Sequence, residues 1–396
     1  MESPASVAAR LGRATAQVAG PVAVVDLDLF DANAAELLRR AGGTPVRLAT
    51  KSVRVRALVD RALAAGFQGL MTMTAAEAVW YAGRGVPDSL VGYPSVDMAA
   101  LAALAGDADA RGRVTLMLDD AAQLALVEAA VAGTDGPPVD VCLDVDASLR
   151  LRVGPLTLHA GTRRSPLHAP ADVARLAARV ATTPGVRLRG VMTYEAQIAG
   201  LPDSSAAVRA MKKVSAREVR ARRSAVLDAL SSAVGRDLTL VNAGGTGSLE
   251  VSSADPEVTE VTAGSGLYVP ATFDGYRAFC PRPSAFFGLD VVRTPGPGWA
   301  TAFGGGYPAS GAAGPSRLPR LLSPGWSLTR REGAGEVQTP LRRRGGGPEL
   351  RIGDRVWFRH AKAGELMERF DVVHLVRGDE VVDVVPTYRG EGRSFA

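Results

Sequence analysis

The sequence predicts an α/β protein: a parallel (β/α)8 barrel followed by a C-terminal antiparallel β domain. Two patterns carry that expectation. From Pro21 to about Gly266, short apolar runs alternate with Ala-, Leu- and Arg-rich helical stretches, the mark of a parallel sheet. Beyond Leu267 the helical stretches give way to Pro, Gly and short Val-rich runs. A length of 396 residues leaves room for both parts. The division expected is an N-terminal extension over 1–20, a barrel over 21–266 and a β domain over 267–396. An open doubly wound sheet is the competing arrangement for the first part.

Each element follows from its pattern. Val22–Asp26 reads as a strand and Leu29–Ala41 as a helix stopped by Gly42-Gly43. Val46–Ala49 is a strand, and Val53–Ala65 a helix stopped by Gly66. Gly69–Met73 and Ala75–Ala82 repeat the pair. Leu90–Tyr93, Val114–Leu118, Val139–Val145, Leu188–Tyr194 and Leu238–Asn242 continue the strands. Val173–Val180 and Ala207–Val234 fill helical slots. In the second part Phe287–Val292, Arg355–Phe358, Val372–Val376 and Glu380–Val385 read as strands, with Gly304–Gly306 and Gly345–Gly347 as loops.

Composition removes several function classes. The net charge of +5 comes from Arg scattered among Asp and Glu, and aromatic content is 5%, so stacking platforms for bases are scarce and no nucleic-acid partner is expected. Two cysteines, Cys142 and Cys280, make neither a disulfide framework nor a Cys-rich zinc site. The first 20 residues lack a continuous apolar core, and no apolar run is long enough to span a bilayer. The expected location is the cytoplasm, with no membrane partner.

The candidate chemistry lies at predicted strand ends. Lys51 is delivered by the strand Val46–Ala49 to the point where a helical pattern begins. Asn242-Ala243-Gly244-Gly245-Thr246-Gly247-Ser248 follows another strand, and Ala263-Gly264-Ser265-Gly266 comes one strand later. Glycines let successive N–H groups turn toward one anion, and Thr246 and Ser248 add hydroxyls. No Lys follows, as a nucleotide P-loop would require, so a phosphate monoester fits better than a triphosphate. Gly161-Thr162-Arg163-Arg164 offers an Arg, whose permanent charge would keep a pyridine nitrogen unprotonated. Amine, anion cradle and Arg together point to pyridoxal 5'-phosphate held as a Schiff base on Lys51. Tyr194, at a strand end, could pack beside the cofactor or donate to it, and Glu195 and Gln197 could bind substrate. His360 and Lys362 alternate by two after the strand Arg355–Phe358, so they share a face if the strand continues; His360 could serve as base or ligand.

The order of these motifs resembles the D-threonine aldolase and D-serine dehydratase family, fold-type III pyridoxal-phosphate enzymes with an alanine-racemase-like barrel. The resemblance runs over roughly 21–390. It rests on Pro21–Asp28 with Lys51, on Gly161–Arg164, on Tyr194 and on Gly244–Gly247. Gly353-Asp354-Arg355-Val356, Val382–Pro386 and Arg389-Gly390 complete it. It implies that Lys51 carries the cofactor, that Arg164 faces the pyridine nitrogen, and that Gly244, Gly245, Thr246, Gly247, Gly264 and Ser265 surround the phosphate. It further implies action on D-3-hydroxy amino acids, by retro-aldol cleavage or loss of water, and a homodimer.

Two departures from the family pattern stand out. An extra Pro/Leu/Arg-rich segment precedes Gly161. Where many members bind a divalent metal through His-x-Asp or His-x-Cys, this chain reads His360-Ala361-Lys362, leaving His360 as the one candidate ligand in that pair. An ammonium has no lone pair and cannot ligate a metal. The expectation is therefore no metal, with Lys362 in its place, paired with Glu365 or Glu336. The activity expected is retro-aldol cleavage of a D-threonine-like substrate to glycine and an aldehyde. His360 would take the 3-hydroxyl proton. The alternatives are a dehydratase giving a 2-oxo acid and ammonia, an amino-acid racemase, and a non-enzymatic cofactor-holding protein.

Overall fold

Strand pairing in the computed structural model, which describes residues 2–154, 156–235, 238–280 and 282–395, closes eight parallel strands into a barrel. In chain order they are Val46–Ala49, Leu70–Thr72, Ser89–Val91, Val114–Leu118, Val139–Asp144, Val186–Thr193, Leu240–Ala243 and Glu260–Ala263. Every barrel pairing is parallel, and Glu260–Ala263 seals the ring between Leu240–Ala243 and Val46–Ala49. Helices such as Arg56–Ala64, Ala75–Ala82, Ala121–Val131 and Pro170–Thr182 cover the outside. Their starts are written in the sequence. Thr74 accepts from the Glu77 N–H, and Asp120 caps its helix reciprocally with Gln123.

One expected barrel strand lies elsewhere. Val22–Asp26 joins the second sheet, antiparallel to Ala285–Gly296 and parallel to Val372–Arg377. The boundary at 266/267 is therefore crossed by the chain's first strand, and the second sheet is mixed rather than wholly antiparallel. All five residues of this strand are buried, so it has the same continuous apolar look as a barrel strand. The long strand Ala285–Gly296 organises the rest. Its first half pairs with Arg355–Arg359, and after register shifts its second half pairs with Trp299–Phe303. Residues 2–20 are more than an extension. The helix Pro4–Ala14 packs Leu11 against Val22, Val24, Phe286 and Trp357, and Arg10 bonds Asp26 at 2.6 Å. The extra segment before Gly161 is an antiparallel hairpin, Leu149–Val153 with Leu156–Ala160.

The barrel interior is layered. Near the strand starts the buried Arg47 guanidinium meets Glu260 at 2.6 and 2.7 Å and Asp88 at 2.7 Å. Arg189 also bonds Asp88, and Asn242 donates to Glu260. Above this ionic layer sit Leu90, Met117, Cys142, Met192 and Leu240, with Met71 against them. Cys142 is buried, Cys280 is exposed, and both are free thiols. No helix among the described residues is long and apolar enough to cross a membrane.

The ionic layer sets an acid limit on the fold. Burial works against ionised Asp88, but the Arg189 hydrogen bond and the Arg47 charge win and hold it at about 2. A depressed carboxylate stabilises the fold above its unfolded value, about 3.9, and that contribution is lost as pH falls toward 2. Arg47→Met should cost about 3–5 kcal/mol at neutral pH by leaving the buried Glu260 without a counter-charge, while Asp88 keeps Arg189. It should also flatten the stability profile between pH 4 and 2. Urea unfolding of both proteins across that range checks both effects.

Candidate active site at the barrel mouth

Lys51, Tyr194, Glu195, Gly244–Gly247, Gly264 and Ser265 all follow the C-terminal ends of barrel strands, while Arg164 follows the hairpin inserted after Val139–Asp144. The strand Val46–Ala49 runs into a single turn, Thr50–Ser52, which carries Lys51. That turn is held from several sides. Thr50 Oγ1 donates to the Met71 carbonyl at 3.1 Å, and the Ser52 and Ser265 hydroxyls meet at 3.0 Å. Arg54, at a positive φ of 55°, donates back to the Lys51 carbonyl and pairs with Glu368 at 2.9 Å. With its main chain fixed, the half-buried Lys51 points Nζ at the Tyr93 hydroxyl, 2.5 Å away. Tyr93 follows the strand Ser89–Val91, two strands round the barrel. Sequence reasoning gave it no role; the available signal was its place, in Gly92-Tyr93-Pro94, at a strand end.

The two glycine turns lie side by side because their strands pair. The Gly266 N–H donates to Thr246 Oγ1 at 3.0 Å, stitching one turn to the other. A Cβ on Gly264 would come within 2.6 Å of the Ala49 carbonyl and 2.9 Å of Ser52 Cβ, so the second turn abuts the Lys51 turn. Gly245 packs 3.3 Å from the Tyr194 ring by the same measure. From behind, Arg40 grips the Thr246 carbonyl at 2.8 Å and Glu250 at 2.5 Å. The N–H groups of Thr246 and Gly247 have no partner among the described residues.

Tyr194 lies at the end of Val186–Thr193. Burial pushes its phenol up, and the charges of Lys51 and Arg164 pull it back, which sets all three in one electrostatic neighbourhood. Arg163 and Arg164 are exposed at the rim. Their turn is anchored through Ser165 Oγ, which donates to the Asp144 carbonyl at 2.6 Å. Asp144 went unnoticed in the sequence. Burial, with Asp119 and Asp146 nearby, pushes its carboxyl up to about 7, and Arg164 opposes the rise.

Glu195 and Gln197, expected to bind substrate, are buried with their side chains bonded to protein groups. Glu195 is buried, and its carboxylate accepts from Arg223 Nη2 at 2.8 Å, the Gly244 N–H at 2.8 Å and Ser252 Oγ at 3.2 Å. Arg223 also pairs with Asp255, so the glycine turn rests on a buried acid–base–acid row. Gln197, equally buried, donates to the Ala147 carbonyl and to Ser215 Oγ, both at 2.6 Å. Both polar side chains turn inward because the short helix Ala196–Ala199 reverses the chain under the long helix Ala206–Val234.

His360 and Lys362 come from the second sheet. The loop after Arg355–Arg359 lies against the Lys51 backbone, since a Cβ on Gly364 would come 2.9 Å from the Lys51 carbonyl. His360 is buried, its ring edge-on to Tyr268 at 6.1 Å between centroids. Burial and the Arg359 charge hold its imidazole down at about 4, hence neutral. Neither ring nitrogen makes a well-formed hydrogen bond, although backbone groups of Ala363 and Ala285 approach it. Both residues line a cavity of about 370 Å³ whose barrel side is Arg54 rather than the Lys51 side chain. Glu336, the other proposed partner of Lys362, is exposed and does not line this cavity.

The rim fits a phosphorylated aldehyde. It offers an amine on a rigid turn, two unfilled N–H donors on a glycine turn, and hydroxyls of Ser52, Ser265 and Thr246 between them. For a divalent metal the donor set is thin: no group of three His, Cys, Asp or Glu converges among the described residues, and in the His360-Ala361-Lys362 pair the second position is an ammonium without a lone pair.

A closed parallel barrel with an amine at its C-terminal mouth, joined to a β domain, is the architecture of the fold-type III pyridoxal-phosphate proteins. The family model described as "Alanine racemase, N-terminal domain" matches residues 25–271, and the chain belongs to that family. A D-threonine aldolase of Arthrobacter sp. is 27% identical over 296 residues, covering 73% of this chain and 72% of that protein. The crystal structure of D-threonine aldolase from Filomicrobium marinum superposes with a TM-score of 0.80 at 23% identity, over 98% of this chain and 99% of that one. D-threo-3-hydroxyaspartate dehydratase from Delftia sp. HT23 gives 0.73 at 22% identity, over 93% and 97%. A Cys-to-Ala variant of D-threo-3-hydroxyaspartate dehydratase, solved in the metal-free form, gives 0.71 at 22% identity, over 93% and 97%.

The support beneath the glycine turn is testable. Glu195→Gln keeps the shape but presents an NH2 to donors. It should weaken pyridoxal phosphate binding roughly tenfold and destabilise the fold by about 3 kcal/mol. Spectrophotometric titration of the cofactor-free variant and its thermal melt read the two separately.

Proposed function

We propose that the chain is a pyridoxal-phosphate-dependent lyase that cleaves a D-threonine-like 3-hydroxy amino acid to glycine and an aldehyde. The observation that carries this reading is the Lys51 amine, set against Tyr93 and beside two stitched glycine turns. Similarity to D-threonine aldolases, in sequence and over nearly the full fold, supports it.

In this reading Lys51 would hold pyridoxal phosphate through Nζ, the turns at Gly244–Gly247 and Gly264–Ser265 would receive its phosphate, and Tyr194 and Arg164 would lie beside its ring. Bound there, pyridoxal phosphate supplies an electron sink for the bond broken at Cα. The chain's part is orientation and proton handling. Lys51 Nζ donates to the Tyr93 hydroxyl at 2.5 Å, which aims the amine into the mouth. His360 accepts the 3-hydroxyl proton as the Cα–Cβ bond breaks. A homodimer belongs to the same reading. The hairpin supports it by leaving Leu151, Leu156 and Leu158 exposed on one face.

A second reading, dehydration to a 2-oxo acid and ammonia, draws support from Lys362, whose ammonium suits protonation of a leaving hydroxyl. Incubation with D-threonine and mass spectrometry separates the two: glycine with acetaldehyde marks the aldolase, 2-oxobutyrate with ammonia the dehydratase. Cα isotope exchange without either product would replace both with a racemase. Lys51→Ala should abolish turnover and the visible absorbance of bound cofactor together. Turnover that survives the change removes Lys51 from the mechanism.

A further inference from the structure

We propose that the site built on His360 and Lys362 works without a divalent metal, the Lys362 ammonium standing where a relative would hold a cation. The chemistry of the groups around it carries the argument. Lys362 offers three N–H donors and no lone pair. Its Nζ donates to Ser310 Oγ at 3.1 Å and lies 3.4 Å from the Ser310 carbonyl. Ser310 in turn donates from its N–H and its hydroxyl to both oxygens of Glu365, at 2.7 and 2.6 Å. The carboxylate that could best have completed a metal site is thus already committed. Burial raises the Glu365 carboxyl, but Ser310 and the Lys362 charge outweigh this and keep it ionised. Glu368, the second carboxylate of the cavity, is committed to Arg54 at 2.9 Å.

The charge count agrees. Arg54, Lys362, Arg369 and Arg389 line the cavity against Glu365 and Glu368, which repels a dication and welcomes a developing negative charge. His360 contributes neutral nitrogens, and one imidazole with water is a poor site for manganese or zinc. The ammonium is fixed through Ser310, so it is oriented before substrate arrives. Its action on the 3-oxygen rests on the lyase reading above; its exclusion of metal does not.

The test uses the holoenzyme. Metal analysis after purification without chelator should find far less than one manganese or zinc per chain. Turnover should be unchanged after dialysis against EDTA. Calorimetric titration with MnCl2 should show no binding to the wild type. Lys362→Asp replaces the ammonium with an oxygen ligand two residues from His360, and should show measurable manganese binding in the titration where the wild type shows none. A stoichiometric metal in the wild type, or activity lost to chelator and restored by manganese, overturns the proposal. So does a folded Lys362→Asp, by its circular dichroism melt, that binds manganese no better. The titrations give the same answer whichever product D-threonine yields, so a failure of the lyase reading is told apart from a failure of this one.

Discussion

The buried Arg47–Glu260 pair closes the barrel, and the arrangement of the mouth depends on it. Arg47 lies on the first barrel strand and Glu260 on the last, so the pair spans the seam. Through Asp88, Arg189 and Asn242 the same layer reaches the strand starting at Ser89 and the strands Val186–Thr193 and Leu240–Ala243. A buried guanidinium is costly to desolvate, and here two carboxylates repay the cost with direct hydrogen bonds. Closing the seam puts the Gly264 turn beside the Lys51 turn. Amine and anion cradle are thereby set by strand register, with no flexible linker between them.

Above that layer Met71, Met117, Cys142 and Met192 pack with Leu90 and Leu240 as an apolar, sulfur-rich tier. The mouth above is polar and opposed in sign. Lys51 and Arg164 face Tyr194, and Asp144 sits under the Arg164 turn with its carboxyl near 7. Behind the glycine turn, Asp255, Arg223 and Glu195 form a second buried row that holds the Gly244 N–H. The two charged rows do the same job at two heights: each ties elements together by direct guanidinium–carboxylate hydrogen bonds, paired between Arg47 and Glu260 and single from Arg223 to each of Glu195 and Asp255.

Much of the mouth was legible in the sequence, because the signals were local. Lys51, Gly244–Gly247 and Gly264–Ser265 each sit where a short apolar run ends, and a parallel barrel brings every such end to one rim. The same local signal says less about Glu195 and Gln197. A polar residue at a strand end looks substrate-facing until the helix Ala206–Val234 is seen to cover it with Arg223 and Ser215. Tyr93 was passed over because nothing near it in the chain tells of Lys51, 42 residues away. The hairpin before Gly161 was visible as an insertion; its antiparallel pairing was not.

By itself the sequence determined the alternation of strand and helix, the change of texture near Leu267 and the chemistry of His360-Ala361-Lys362. These depend on period, composition and donor type, which are properties of neighbouring residues. Only the tertiary structure decided that Val22–Asp26 belongs to the second sheet while Glu260–Ala263 closes the barrel. A strand buried on both faces carries no mark of its partners. A short strand beginning with Glu looks too polar for a core until Arg47 is placed opposite it. Partner choice is a matter of long-range register and of which buried charge finds its counter-charge, and neither is encoded in any local window of the chain.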